Sequence, residues 1–197
     1  MCSWDPWRGS FGRGGRAVSI AELRVVDPED RDVVLGTVGE VLVRGPHVMK
    51  GYWNKPELTA EALRGGWMHT GDGAYLYEDG YLFIVDRLKD MIFSGGENVY
   101  SAEVENVLMQ HPSVAMCAVI GVPDEKWGER VHAVIVCRAG QSVTEAELLT
   151  HCHAVITNDK APRSLEFRTE LPLSGAGKIL KKDLREPFWK GVERRIG

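Results

Sequence analysis

A lysine placed behind two glycines near the end of this 197-residue chain is the residue best suited to charge chemistry: Ser174-Gly175-Ala176-Gly177-Lys178. Small neighbours let such a loop enter a confined site. The ammonium on its flexible stem is a compact charge with three donors, able to grip a phosphate and a carboxylate together. An ordinary surface lysine is the alternative. A second candidate is Asp72, held between Gly71 and Gly73. Its carboxylate could accept bonds from two vicinal hydroxyls, such as a ribose offers, or it could simply form an Asp-Gly turn. A third lies in residues 84–105. There an apolar run ends in Asp86-Arg87-Leu88-Lys89-Asp90, a glycine pair follows at Gly95-Gly96, and then a helix signal. Charged residues in series cannot form a core strand without partners, so the chain surfaces here between two apolar blocks, as an interdomain hinge does.

The surrounding elements must position these residues. Glycine- and arginine-rich residues 9–16 read as a flexible surface entry, with anion binding through backbone amides the weaker alternative. Residues 22–26 and 39–44 read as half-buried strands of a small β unit. A short helix is expected from Pro56 to Leu63, with proline in its first turn and Gly65-Gly66 stopping it. The loop Trp67–Gly73 should precede a hairpin whose strands, 74–77 and 81–85, flank Glu78-Asp79-Gly80. Beyond the charged run, Ser101 is expected to cap a helix whose apolar face is Val104, Val107 and Leu108. Residues 114–120 and 131–137 read as strands, Thr144-x-x-Glu147 as a capping box opening a helix to about Ile156, residues 165–168 as a strand, and Asp183-x-x-Glu186 as a helix start. That order is an α+β layer architecture.

A formal charge of −4 leaves no basic surplus for a nucleic-acid backbone. Four widely spaced cysteines with no C-x-x-C pair argue against a zinc site or a stapled secreted fold. His151-Cys152-His153 has metal-ligand types, but successive helical side chains diverge, so no metal site is expected. No apolar h-region and no run of 18 apolar residues is present, so a cytoplasmic location without a membrane span is expected.

Residues 66–72, 86–100 and 171–178, in this order, closely resemble the last three core motifs of the adenylate-forming superfamily. That superfamily includes acyl-CoA synthetases, nonribosomal-peptide adenylation domains and luciferases. The resemblance runs from about Gly36 to the end, and residues 45–63 also match a family segment. Ser94-Gly95-Gly96-Glu97-Asn98-Val99-Tyr100 and Pro162–Phe167 are similar to the bacterial fatty-acyl-CoA synthetase branch. The resemblance implies a β subdomain of distorted-barrel type over 1–86, a hinge at 87–90 and an α+β lid over 91–197. It implies ATP, CoA and Mg2+ as cofactors, a fatty acid or other carboxylate as substrate, and an acyl-adenylate as intermediate. Asp72 would bind the ribose of ATP, Arg87 would contact the ribose or phosphate side of the nucleotide, and Lys89 would be the pivot. Lys178 would lie between acyl carboxylate and α-phosphate in the first half-reaction. After lid rotation Gly95 and Gly96 would line the pantetheine path, and Trp127 would pack near CoA or anchor the lid core. His69 would support the Asp72 loop.

The family's phosphate loop ending in Pro-Lys, its Tyr-Gly-x-Thr-Glu segment and its acyl pocket have no counterpart in these 197 residues. The chain is therefore expected to be the C-terminal portion of such an enzyme, inactive alone, with the Mg2+ ligands elsewhere. The competing expectation is a non-catalytic module or split subunit that docks on a separate N-terminal half. Asn158-Asp159-Lys160 departs from the branch pattern, which puts a CoA-phosphate role for Lys160 in doubt.

Overall fold

The computed structural model describes residues 13–192, and the chain divides into two compact units, Met1–Leu88 and Lys89–Gly197. The overall class is mixed, a β unit followed by an α+β unit.

The first unit contains β1 (Arg13–Gly15), β2 (Glu22–Val26), β3 (Gly39–Arg44), helix α1 (Pro56–Ala62), β4 (Met68–Leu76) and β5 (Leu82–Arg87). Its five strands form one antiparallel sheet in the order β1-β5-β4-β3-β2. Period-two alternation puts Leu23 and Val25 opposite Val43 and Val41, and these pack with Ala74, Leu76 and Leu82 on one face. The sheet runs from edge to edge among the described residues, so the expected barrel is not closed. Of the glycine-rich entry, residues 9–12 lie outside the described residues, whereas Arg13–Gly15 pairs with β5 instead of running free over the surface. Helix α1 starts on Pro56 and has no side-chain cap.

The expected loop at 67–73 is largely strand. Met68–Leu76 pairs with both β3 and β5, but its register slips around Asp72. Leu42 faces His69 and Glu40 faces Gly73, so between these pairs one residue of β3, Val41, opposes three of β4. The extra backbone bulges out at Thr70, Gly71 and Asp72, with Gly71 at φ +71. A glycine-rich sequence read as a turn is a bulge within a strand.

The second unit contains β6 (Ile92–Ser94), β7 (Glu97–Val99), α2 (Ser101–Met109), β8 (Val114–Asp124), β9 (Gly128–Cys137), α3 (Glu145–His153), β10 (Ser164–Phe167) and α4 (Lys181–Arg185). The sheet order is β10-β9-β6-β7, with β8 also pairing β9 and β10 running parallel to it. Both faces are covered. Val104, Leu108, Val119, Ile135, Leu148 and Cys152 fill one side, while Ala118, Ile120, Val122, Val134, Leu171 and Leu184 fill the other. Val119 and Ile120 thus point to opposite cores, which is why β8 reads as an unbroken apolar run. That strand continues through Gly121 and Pro123 to Asp124, past the end expected for it.

Thr144 and Glu147 form a reciprocal capping box, as their spacing indicates, although α3 stops at His153. Ser101 is not a cap. It is the first helical residue, follows Tyr100 at the N-cap position, and its buried hydroxyl accepts a bond from the Lys181 ammonium at 2.7 Å. Helix α4 begins at Lys181, two residues before the expected start. None of the described helices is long and apolar enough to cross a membrane.

Candidate functional site

Asp72 and Arg87 occupy paired positions on β4 and β5, and Arg87 Nε lies 2.8 Å from Asp72 Oδ1. The bulge presents Asp72 at a partly open edge, and its amide donates to Thr70 Oγ1 at 3.1 Å. An ionised carboxylate accepts more bonds than the one Arg87 supplies, so capacity for vicinal hydroxyls remains. Glu40 organises the loop from beneath: its carboxylate accepts the Gly71 amide at 3.0 Å, sits 2.9 Å from His69 Nδ1, and takes a 3.5 Å contact from Arg64. His69 is buried and bound to Glu40 rather than facing a ligand. Glu40 escaped the sequence reading because an acidic residue in an alternating strand looks like an ordinary solvent position.

Gly95 and Gly96 lie in a two-residue turn between β6 and β7, a hairpin that the sequence reading did not anticipate before α2. Their φ values, +63 and +93, are those a type I′ turn needs at both central residues. Gly95 donates its amide to the Trp127 carbonyl at 2.9 Å. A Cβ on Gly95 would sit 2.6 Å from Trp127 Cε3, whereas one on Gly96 meets nothing within 4 Å. Glycine at 95 is required by close approach as well as by backbone conformation.

Trp127 is half-buried and belongs to neither core cluster of the second unit. It packs on the glycine hairpin, with Arg163 4.3 Å and Lys126 4.6 Å from its ring centroid. Asp124 fixes the turn that presents it, accepting the Lys126 and Trp127 amides at 3.0 and 3.1 Å. Burial acts to raise the Asp124 carboxyl, but those two amides and nearby Arg130 hold it below the ordinary value. Phe93, Gly95, Gly96, Lys126, Trp127 and Trp189 are among the residues lining a cleft of about 990 Å³. Its walls combine aromatic rings and glycines with the acidic residues Asp124, Glu125 and Glu129, and two cations flank Trp127, a surface with room for a narrow apolar arm beside polar groups.

Lys178 does not line this cleft. It lies on a small hairpin closed by the Leu173–Ile179 bridge, by the Ser174 amide on the Lys178 carbonyl at 2.8 Å, and by the Lys178 amide on Ser174 Oγ at 3.1 Å. Ile179 anchors that hairpin against the second core cluster. The Lys178 side chain is exposed and has no hydrogen bond or ion pair among the described residues.

Lys89 is exposed, and its carbonyl accepts from Arg185 Nη1 at 2.8 Å. Lys160 is committed to Glu103, whose two oxygens both lie 3.0 Å from its ammonium. His151 bonds the Val107 carbonyl, Cys152 is buried in the core and His153 is exposed. Burial, with Glu105 nearby, pushes the Cys117 thiol up to about 12, and burial pushes Cys152 to about 11. Neither serves as a nucleophile near neutral pH.

Comparison with known proteins matches residues 103–178 to the AMP-binding enzyme C-terminal domain and residues 1–53 to the AMP-binding enzyme family. The chain is 50% identical over 178 residues to a feruloyl-CoA synthase from Amycolatopsis sp, covering 90% of this chain and 36% of that protein. It is 47% identical over 188 residues to a long-chain-fatty-acid–CoA ligase from Escherichia coli O157:H7, covering 94% and 33%. Among solved structures, o-succinylbenzoate CoA synthetase from Bacillus subtilis, in complex with its acyl-adenylate intermediate, matches with a TM-score of 0.83 at 36% identity, over 88% of this chain and 35% of that one. The chain thus spans about a third of the length of the curated relatives it matches. With its motifs, the α+β fold of its second unit and these relatives in agreement, the chain belongs to the AMP-binding, adenylate-forming enzyme family and carries that family's C-terminal domain.

Proposed function

We propose that these residues belong to an ATP-dependent carboxylate–CoA ligase of the fatty-acyl type and contribute different faces to its two half-reactions. The observation that carries the reading is the separation, on one unit, of an exposed lysine without a partner among the described residues from a glycine-and-tryptophan cleft that it does not line.

In the first half-reaction a carboxylate oxygen attacks the α-phosphorus of ATP, giving an acyl-adenylate and pyrophosphate. Lys178 stabilises the charge that develops between the two anions. Asp72 receives the ribose hydroxyls, and Arg87, its ion-pair partner, orients that carboxylate and faces the nucleotide. In the second half-reaction the CoA sulfur attacks the acyl carbonyl and AMP departs. Gly95 and Gly96 give passage to the pantetheine arm, Trp127 packs against CoA, and Lys89 is the pivot between the two arrangements. Among the described residues no cluster of three His, Cys, Asp or Glu could hold a metal ion, and the Mg2+ ligands are expected in the phosphate-loop half.

A fatty acid is the first choice of substrate, supported by the likeness of residues 94–100 to fatty-acyl-CoA synthetases and by identity to the long-chain ligase. An aromatic acid is the second reading, favoured by the identity to the feruloyl-CoA synthase. The 197 residues alone are expected to release no pyrophosphate from ATP with either acid. Joined to a phosphate-loop half, they should form the CoA thioester of one of the two. Pyrophosphate release by the isolated chain, or no thioester from the joined protein with any carboxylate, would contradict the proposal.

A further inference from the structure

We propose that Arg185 is a positioning residue that fastens the lid side of the hinge, tying the Lys89–Asp90 peptide to the helix that follows the Lys178 hairpin. The functional part of this inference rests on the reading of Lys89 as pivot and Lys178 as catalytic lysine; the contact itself does not.

Helix α4 begins three residues after Lys178 and is held at three points. At its start, the Lys181 ammonium donates to Ser101 Oγ and pairs with Glu105 Oε1, each at 2.7 Å, and the same Glu105 oxygen accepts the Val119 amide. In its middle, Leu184 is buried against Ala118, Ile120 and Val122 of β8. At its end, Arg185 Nη1 donates to the Lys89 carbonyl at 2.8 Å and lies 3.0 Å from Asp90 Oδ1. The Arg185 and Asp90 side chains are only 12% and 14% exposed, so solvent screens this contact little. Both contacts come from one guanidinium nitrogen, Nη1, which donates to the Lys89 carbonyl and pairs by charge with the Asp90 carboxylate.

The consequence follows from peptide planarity. Fixing the Lys89 carbonyl fixes the plane that joins the Lys89 and Asp90 α-carbons, so both α-carbons belong to the lid body. Torsions after that plane are held, and freedom to swivel is confined to Lys89's own φ and ψ and to residues before it. The eight residues from Lys178 to Arg185 then form a strut between catalytic lysine and pivot. A rotation at Lys89 carries Lys178 through a fixed arc instead of being absorbed by slack in the chain.

Trypsin reads the clamp directly, because it cleaves after Arg87 and after Lys89, on either side of the proposed boundary. In the 197-residue chain, Arg185→Gln should raise cleavage after Lys89 by about tenfold, the scale of one lost charge-assisted bond, while cleavage after Arg87 changes less than about twofold. Arg185→Lys should recover part of the protection. An unchanged ratio of the two cuts, or an equal rise at Lys126 and Arg138 within the lid, would overturn the clamp. In a protein completed by the phosphate-loop half, Arg185→Gln should lower kcat for thioester formation by about tenfold with the KM values for ATP and CoA within about twofold, and Arg185→Lys should lie between. Loss confined to KM, or no change in kcat while the cleavage ratio shifts, would overturn the coupling to the hinge. If no carboxylate supports thioester formation, the ligase reading fails, whereas the digestion result still decides the clamp.

Discussion

Replacing Gly95 with alanine tests the contact on which the glycine-and-tryptophan cleft is built. The added Cβ would lie 2.6 Å from Trp127 Cε3 and 3.0 Å from Cζ3, where carbon atoms rest at about 3.5–4.0 Å, so the ring must retreat by about 1 Å. A retreat weakens the contacts of the ring with Arg163 and Lys126, worth about 0.5–1 kcal/mol each at such sites. Alanine at the Gly95 φ of +63 adds a left-handed penalty of about 1–2 kcal/mol. The lid should therefore lose about 2–4 kcal/mol in Gly95→Ala. Gly96→Ala carries only the backbone penalty, about 1–2 kcal/mol, since nothing lies within 4 Å of its Cβ. In Trp127→Ala the ring is gone, and the cost of adding Gly95→Ala should fall to the Gly96 value. Urea unfolding followed by NMR signals of Val119 and Ile135, both in the lid core, measures all four variants on the same unit. Equal costs at Gly95 and Gly96, or a Gly95→Ala penalty that survives removal of Trp127, would refute the reasoning.

His132 gives a pH dependence of defined sign. It is buried on β9, 2.8 Å from Ser164 Oγ, and burial lowers its pKa below the ordinary value against the opposing pull of Glu166. The folded lid thus favours the neutral ring, so its contribution is present above the unfolded value of about 6.5 and lost as pH falls through the lower folded value. Urea titrations should show lid stability declining below about pH 6.5 more steeply in the native chain than in His132→Gln, and parallel profiles would contradict this. Asp72→Ala should weaken ATP binding by the completed protein about tenfold or more while leaving the lid's unfolding unchanged, because Asp72 lies in the other unit. Unchanged nucleotide affinity by calorimetry would reduce Asp72 to the Arg87 ion pair.

The lid was legible where pattern and packing agree. The Thr144–Glu147 box and the two-faced apolar run of β8 are local signals with tertiary support. The elements that escaped depend on partners distant in sequence. Three-residue strands such as β6 and β7 carry too little periodicity to stand out, and their hairpin is visible only as a glycine pair. The stretch from Trp67 to Gly73 looks like a turn because its glycines serve a bulge whose partner strand lies some thirty residues earlier, at Glu40 and Leu42. Motif wording raises Asp72, Arg87, Gly95, Gly96, Trp127 and Lys178 as candidates, but not the contacts that hold them. The Asp72–Arg87 pair, the Gly95–Trp127 contact and Arg185 on the Lys89 carbonyl escape a sequence reading, since each joins positions that no local pattern connects.

The central claim is that one lid serves two half-reactions with different residues, and Lys178→Ala in the completed protein tests it most directly. Pyrophosphate release from ATP and a carboxylate should fall by about 10²–10³-fold, as for one lost electrostatic stabiliser, while thioester formation from preformed acyl-adenylate and CoA stays close to the native rate. Equal loss of both steps would contradict the claim and leave Lys178 a structural residue of its hairpin.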